Sequence, residues 1–220
     1  MERMPLHVRL RKRGHREVAM AQDLLVSAAY DVFPALVLHG GTAIWRCYGG
    51  SRFSEDVDAY LPPPVGADAM PALNDVLVAK GFVVRKLKRS RNAIYARLSY
   101  ADAEVRFEAL VKGPGASVVR TFEMVDGSRI AVNALSPEAL LAEKARAYVD
   151  RRKVRDLFDV FFLLSIASRD PEVEASVGEL IDGFVPPVDE GALKALVISG
   201  TVPTTEGMVE AIRSWARRST

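Results

Sequence analysis

Apolar residues recur at helical spacing over residues 13–31, where Val18, Ala21, Leu24, Leu25 and Ala28 fall along one face. Pro34 ends that element. Ala35-Leu36-Val37-Leu38 is a short apolar run and predicts a buried strand, which Gly40-Gly41 breaks. Thr42 is expected to cap a helix through Tyr48 that Gly49-Gly50 ends. Val57 to Leu61 reads as a second strand, stopped by Pro62-Pro63-Pro64. Residues 67–80 predict an amphipathic helix, and Phe82-Val83-Val84 opens a strand region. Ala93 to Tyr100 and Glu104 to Val111 both alternate polar with apolar and are joined by Ala101-Asp102-Ala103, a hairpin pattern. Arg129 to Asn133 is a further short strand.

The period then changes. Ser136-Pro137-Glu138 is a helix start: a capping serine, proline at the first helical position and an acid in the first turn. That helix is expected to run to about Val149, and a second from about Val154 to Ala167. After Asp170-Pro171, helices are expected near 172–182, 189–197 and 205–217. The chain thus predicts an α/β (α+β) half, residues 1–135, and a helical half, residues 136–220. The hairpin implies a mixed or antiparallel sheet, not a doubly wound parallel one.

Composition narrows the class without fixing it. Of 220 residues, 49% are hydrophobic and 26% charged, which excludes disordered and fibrous classes. The single cysteine, Cys47, excludes a disulfide framework within the chain and a cysteine-based zinc cluster, and favours a reducing, cytoplasmic location. No apolar segment follows the basic residues near the N-terminus, so no secretory signal is expected. The apolar run Phe158 to Ile166 is too short to span a bilayer, so no membrane partner is expected.

The chemistry concentrates in two places. Gly40-Gly41-Thr42 joins a strand to a helix, a turn that lets backbone N–H groups approach a phosphate. Fifteen residues beyond Gly41, Asp56-Val57-Asp58 enters a strand, and period-two geometry sets both carboxylates on one face. Two such acids suit a hard divalent cation, Mg²⁺ or Mn²⁺; alone they equally suit a solvated strand end. Glu108, on the polar face of the second hairpin strand with Arg106, is a candidate third carboxylate for a metal site. Downstream, Lys144, Tyr148 and Arg151 share one helix face, and Asp156 and Asp159 share a face of the next helix. No acid occurs between Asp75 and Asp102, an interval holding Lys80, Arg85, Lys86, Lys88, Arg89, Arg91 and Arg97. With Arg151, Arg152 and Lys153 these residues are candidates for holding an RNA backbone, and Tyr95 and Tyr100 for stacking on a base. His39 reads as a strand-end residue and Cys47 as packing.

Leu38-His39-Gly40-Gly41-Thr42-Ala43 through Arg52-Phe53-Ser54-Glu55-Asp56-Val57-Asp58 resembles the first signature of the AbiEii/AbiGii (MenT-like) nucleotidyltransferase toxins. Glu143-Lys144-Ala145 and Arg155-Asp156-Leu157-Phe158-Asp159 resemble the later motifs, so the likeness covers about residues 36–166. The resemblance implies a DNA polymerase β-like nucleotidyltransferase fold with a helical C-terminal part. It implies a toxin with a cognate antitoxin protein, using a nucleoside triphosphate and Mg²⁺ or Mn²⁺ on an RNA acceptor, expected to be the tRNA 3′ end. By position, Gly40, Gly41, Thr42, Arg52, Ser54 and Lys144 are implied to bind nucleotide, and Asp56 and Asp58 (with Glu108) metal. Asp56, Asp58, Lys144 and Asp156 are the implied catalytic set, with Asp156 positioning or deprotonating the attacking hydroxyl. The alternatives are the same chemistry on a small molecule or a protein, or a non-catalytic nucleotide- or RNA-binding module of this fold.

Overall fold

The computed structural model describes residues 6–218, so the outermost ends of the two expected halves, 1–5 and 219–220, lie outside it. Two compact units emerge. One runs through Gly49 and resumes over Phe53–Leu135; the other takes Gly50–Arg52 and the chain from Ser136 on.

The first unit is built on a seven-stranded mixed sheet in the order β3-β4-β5-β2-β1-β7-β6. Its strands are β1 (Val37–His39), β2 (Val57–Leu61), β3 (Val83–Arg89), β4 (Ala93–Tyr100), β5 (Ala103–Val111), β6 (Ser117–Glu123) and β7 (Arg129–Leu135). β2 pairs parallel with β5, and β1 parallel with β7; the other ladders are antiparallel. The expected mixed sheet is therefore present. Alternation in β5 decides which face is buried: Val105, Phe107 and Ala109 are at most 2% exposed, while Glu104, Arg106 and Glu108 face solvent. Burying a Val or Phe side chain stabilises by about 1.5–3 kcal/mol, so a one-residue slip would be costly. The apolar face packs against α2 (Arg13–Val32) and α4 (Ala69–Ala79), with Leu25, Val26, Leu73 and Leu77 in one core. A short α1 spans Leu6–Arg9, and α3 spans Gly40–Cys47.

Three sequence expectations shift. α3 begins two residues before Thr42, and no side chain caps it. The Thr42 hydroxyl instead donates to the Asp56 carbonyl, tying the helix to the loop ahead of β2. β6 had no counterpart in the pattern, because only Phe122 of its seven residues is buried. Residues 189–197 form not one helix but a 3-10 turn at Glu190–Ala192 and the short α8, Leu193–Leu196.

The second unit is helical. α5 (Pro137–Arg151) starts as expected, the Ser136 side chain accepting from the Ala139 N–H at 3.2 Å. Arg152, at φ +50°, turns the chain into α6 (Val154–Leu163) within two residues. α7 (Pro171–Asp182) and α9 (Thr205–Arg217) complete it, each capped by the side chain ahead of it, Asp170 and Thr204. No described helix is long and apolar enough to cross a membrane.

Cys47 closes α3, partly buried, and burial pushes its thiol up to about 12 despite nearby Arg46 and Arg120. A thiol held that high stays protonated and unreactive at neutral pH.

Candidate active site

In the first unit, the solvent face of the sheet carries two in-register rows. One joins Lys88, Tyr95, Glu108, Asp58 and His39 across β3, β4, β5, β2 and β1. The next joins Lys86, Arg97 and Arg106 across β3, β4 and β5. Asp58 and Glu108 are thus neighbours on parallel strands. Asp56 lies just ahead of β2, where Arg106 grips it by a two-point fork at 2.8 and 2.6 Å. Asp56, Asp58, Tyr95, Arg106 and Glu108 line a recess of about 70 Å³, roughly the space of an ion with one or two waters.

The glycine turn is fitted to Asp58. Gly40 stands at φ +69°, and a Cβ there would overlap the Asp58 carboxylate and lie 3.1 Å from its Cβ. Only glycine brings the backbone this close. The loop carrying Ser54 and Asp56 is braced from behind: buried Gln22 donates to the Ser54 carbonyl at 2.8 Å, and Thr42 holds Asp56. His39 stacks on Tyr60 with ring centroids 3.8 Å apart, a structural placement at the end of β1.

The donor set, oxygen atoms of Asp58 and Glu108 on adjoining strands and of Asp56 just ahead of β2, is the chemistry a Mg²⁺ or Mn²⁺ ion takes. Among the described residues no three His, Cys, Asp or Glu side chains close into a ready-made metal cage. The Asp56 carboxylate is turned to Arg106 instead. A larger apolar cavity of about 550 Å³ lies elsewhere in this unit, bordered by Phe33, Pro34, Leu61 and Val76. It holds none of the predicted site residues, and its charges, Asp31 and Asp68, would repel a phosphate.

The second unit gathers the other predicted residues. Arg52 forks onto Asp159 at 2.8 and 2.7 Å. Lys144 meets Asp159 at 2.9 Å and Asp156 at 3.5 Å, and Arg151 forks onto Asp156 at 2.7 and 2.8 Å. Asp156 and Asp159 are 0% and 1% exposed. Burial alone would push the Asp159 carboxyl up; Arg52 and Lys144 outweigh it and hold the group below the usual carboxylate range. Arg52, Lys144 and Arg151 converge on the two carboxylates, and the Arg151 side chain reaches solvent. Such a network can hold an anion, with Asp156 and Asp159 fixing where its cations stand.

Two residues of these clusters escaped assignment from the sequence. Arg106 was seen only as Glu108's neighbour; its pairing with Asp56 spans 50 residues and needs the fold. Asp159 was visible as sharing a face with Asp156, but its ties to Arg52 and Lys144 were not. The basic stretch also divides. Lys86, Lys88 and Arg97 stand on the face of the acidic recess, with the Lys86 ammonium 5.1 Å above the Tyr95 ring. Lys80 pairs with Asp31, and Arg89 donates to the Val65 and Gly66 carbonyls. Tyr100 lies on the opposite face of β4 from Tyr95 and packs on Phe82, which corrects its assignment as a base-stacking residue. Arg151 and Lys153 are engaged by Asp156 and Asp189.

A family model described as "Nucleotidyl transferase AbiEii toxin, Type IV TA system" matches residues 23–186. Among solved structures, JHP933 from Helicobacter pylori is similar at a TM-score of 0.62 and 20% identity, covering 92% of this chain and 91% of that one. MenT4, a nucleotidyltransferase toxin from Mycobacterium tuberculosis, is similar at 0.60 and 17%, covering 90% and 81%. Comparison with curated protein sequences gives no match.

Proposed function

The chain belongs to the AbiEii nucleotidyl transferase toxin family, a nucleotidyltransferase of a type IV toxin–antitoxin system, and from that premise we infer that it transfers a nucleotide from a nucleoside triphosphate to an RNA acceptor, the tRNA 3′ end. The observation that carries this reading is the fit of Gly40 to Asp58 beside Asp56 and Glu108. A glycine with no room for a side chain, at positive φ, against a metal-type carboxylate has little purpose on a plain strand end.

In this reading Asp56 and Asp58, with Glu108 beside them, hold Mg²⁺ or Mn²⁺. The ion would supply charge neutralisation at the triphosphate and at the attacking oxygen. Gly40, Gly41 and Thr42 present the start of α3, which no side chain caps, to phosphate oxygens. Lys144, Arg52 and Arg151 supply positive charge for the triphosphate. Asp156 and Asp159, saturated by those cations, serve to position them, and this geometry favours positioning over proton abstraction for Asp156. Ser54 orients the loop through its backbone. Tyr95 offers a ring to an unstacked acceptor base. The partner expected of such a toxin is an antitoxin protein.

The test is direct transfer. The protein is incubated with each labelled nucleoside triphosphate, Mg²⁺ and total tRNA, beside Asp58→Ala. Label is expected on tRNA with wild type only, with loss of at least a hundredfold in the variant. Label on protein or small molecules instead of RNA would overturn the acceptor; label indifferent to Asp58→Ala would overturn the site.

A further inference from the structure

The Asp56 carboxylate faces a cation already built into the chain. The Arg106 fork engages both of the oxygens that Asp56 would offer a metal ion. The pair is nonetheless open, with the Arg106 side chain 55% and the Asp56 side chain 31% exposed. Exposure lets water and solvent ions compete for the fork, although its two-point geometry makes it stronger than a single-point surface pair. Arg97 stands directly opposite Arg106 in the β4–β5 register, a like charge at the neighbouring position. A solvent-exposed fork beside a like-charged neighbour is placed to exchange partners.

We propose that Arg106 is a resident counter-cation of the acidic pair, that it competes with a divalent metal ion for Asp56, and that it thereby makes metal and triphosphate binding mutually dependent. This rests on the reading of Asp56 and Asp58 as metal ligands. Before metal arrives, the fork offsets the charge of Asp56 and relieves its repulsion with Asp58 and Glu108 around one recess. A divalent cation that takes Asp56 must break the fork, which weakens its binding to the free protein. The released guanidinium is a planar donor fork that matches phosphate oxygens, so a triphosphate is its natural next partner. Nucleotide therefore raises metal affinity, and metal raises nucleotide affinity by the same factor.

The probe is Mn²⁺, read by the spin resonance of the free ion. Wild type, Arg106→Gln, Arg106→Lys and Asp58→Asn are titrated with and without an α,β-methylene nucleoside triphosphate. Arg106→Gln is expected to bind Mn²⁺ alone about two- to fivefold tighter than wild type. It should bind the analogue more weakly, with the coupling between the two ligands reduced to what direct metal–phosphate contact gives. Arg106→Lys, which keeps the charge without the fork, should fall between. Equal or weaker Mn²⁺ binding by Arg106→Gln, where Asp58→Asn has lost Mn²⁺, overturns the proposal and leaves the metal site standing. A residue that only braced the sheet would lower both affinities together, which also overturns it. Mn²⁺ binding indifferent to Asp58→Asn, or absent from wild type, overturns the metal-site reading and the proposal with it.

Discussion

Gly40 shows how one residue can set a site. Its φ of +69° costs an L side chain about 1–2 kcal/mol, and the Cβ would also displace the Asp58 carboxylate. Gly40→Ala is therefore expected to lower stability by at least that amount in urea unfolding and to abolish transfer, a double loss that a simple turn glycine would not give. Asp159 makes a different prediction. Its carboxyl is buried between Arg52 and Lys144, so removing it takes the forked partner from buried Arg52 and the nearer of two carboxylates from Lys144. Asp159→Ala is expected to destabilise by about 3–5 kcal/mol, and Asp159→Asn by less. Because the folded carboxyl sits below its ordinary value of 3.8, its contribution is complete above that value and lost as pH falls through the folded value. Acid unfolding compared between wild type and Asp159→Asn should show wild type losing its advantage only below about pH 4. The sequence exposed the carboxylates, since Asp-x-Asp and the Asp156/Asp159 spacing are local patterns. It hid which cation each one meets, since Arg106 and Arg52 lie 50 and 107 residues from their partners.

At the scale of elements, strand register does what composition cannot. Seven basic residues between Asp75 and Asp102 read as one stretch, yet period-two geometry sends them to two faces and to loops. Lys86 opposite Arg97, and Arg97 opposite Arg106, are like charges placed directly across ladders, an arrangement that costs stability without an anion. Charge reversal of Lys86, Lys88 and Arg97 together is expected to weaken RNA binding at least tenfold in fluorescence anisotropy, while reversal of Lys80 and Arg89 does little. Equal effects from both sets would remove the sheet face as the RNA surface. The strands and helices with a regular buried face, β4, β5, α2 and α5, were readable from periodicity alone. β6 was not, because an edge strand with one buried residue has no pattern to read. Thr42 was misread for a related reason: a threonine near a helix start can cap it or bind elsewhere, and only the approach of Asp56 decides.

For the whole molecule, a net charge of +2 would suggest indifference to nucleic acid. The proposed RNA surface on the sheet face predicts a measurable slope instead. If Lys86, Lys88 and Arg97 each neutralise a phosphate, every one removed should flatten the dependence of log affinity on log salt by about 1. The triple variant should then show a slope lower by about 3. The lone, poorly reactive Cys47 carries a practical consequence for the same molecule. A chain with one silent thiol needs no cysteine-free background for labelling. Cysteines placed at exposed Glu104 of the sheet and exposed Glu172 of the helical unit would be the only fast-reacting sites. Spin labels there would turn the distance between the two carboxylate clusters into a number that can be followed as substrates are added.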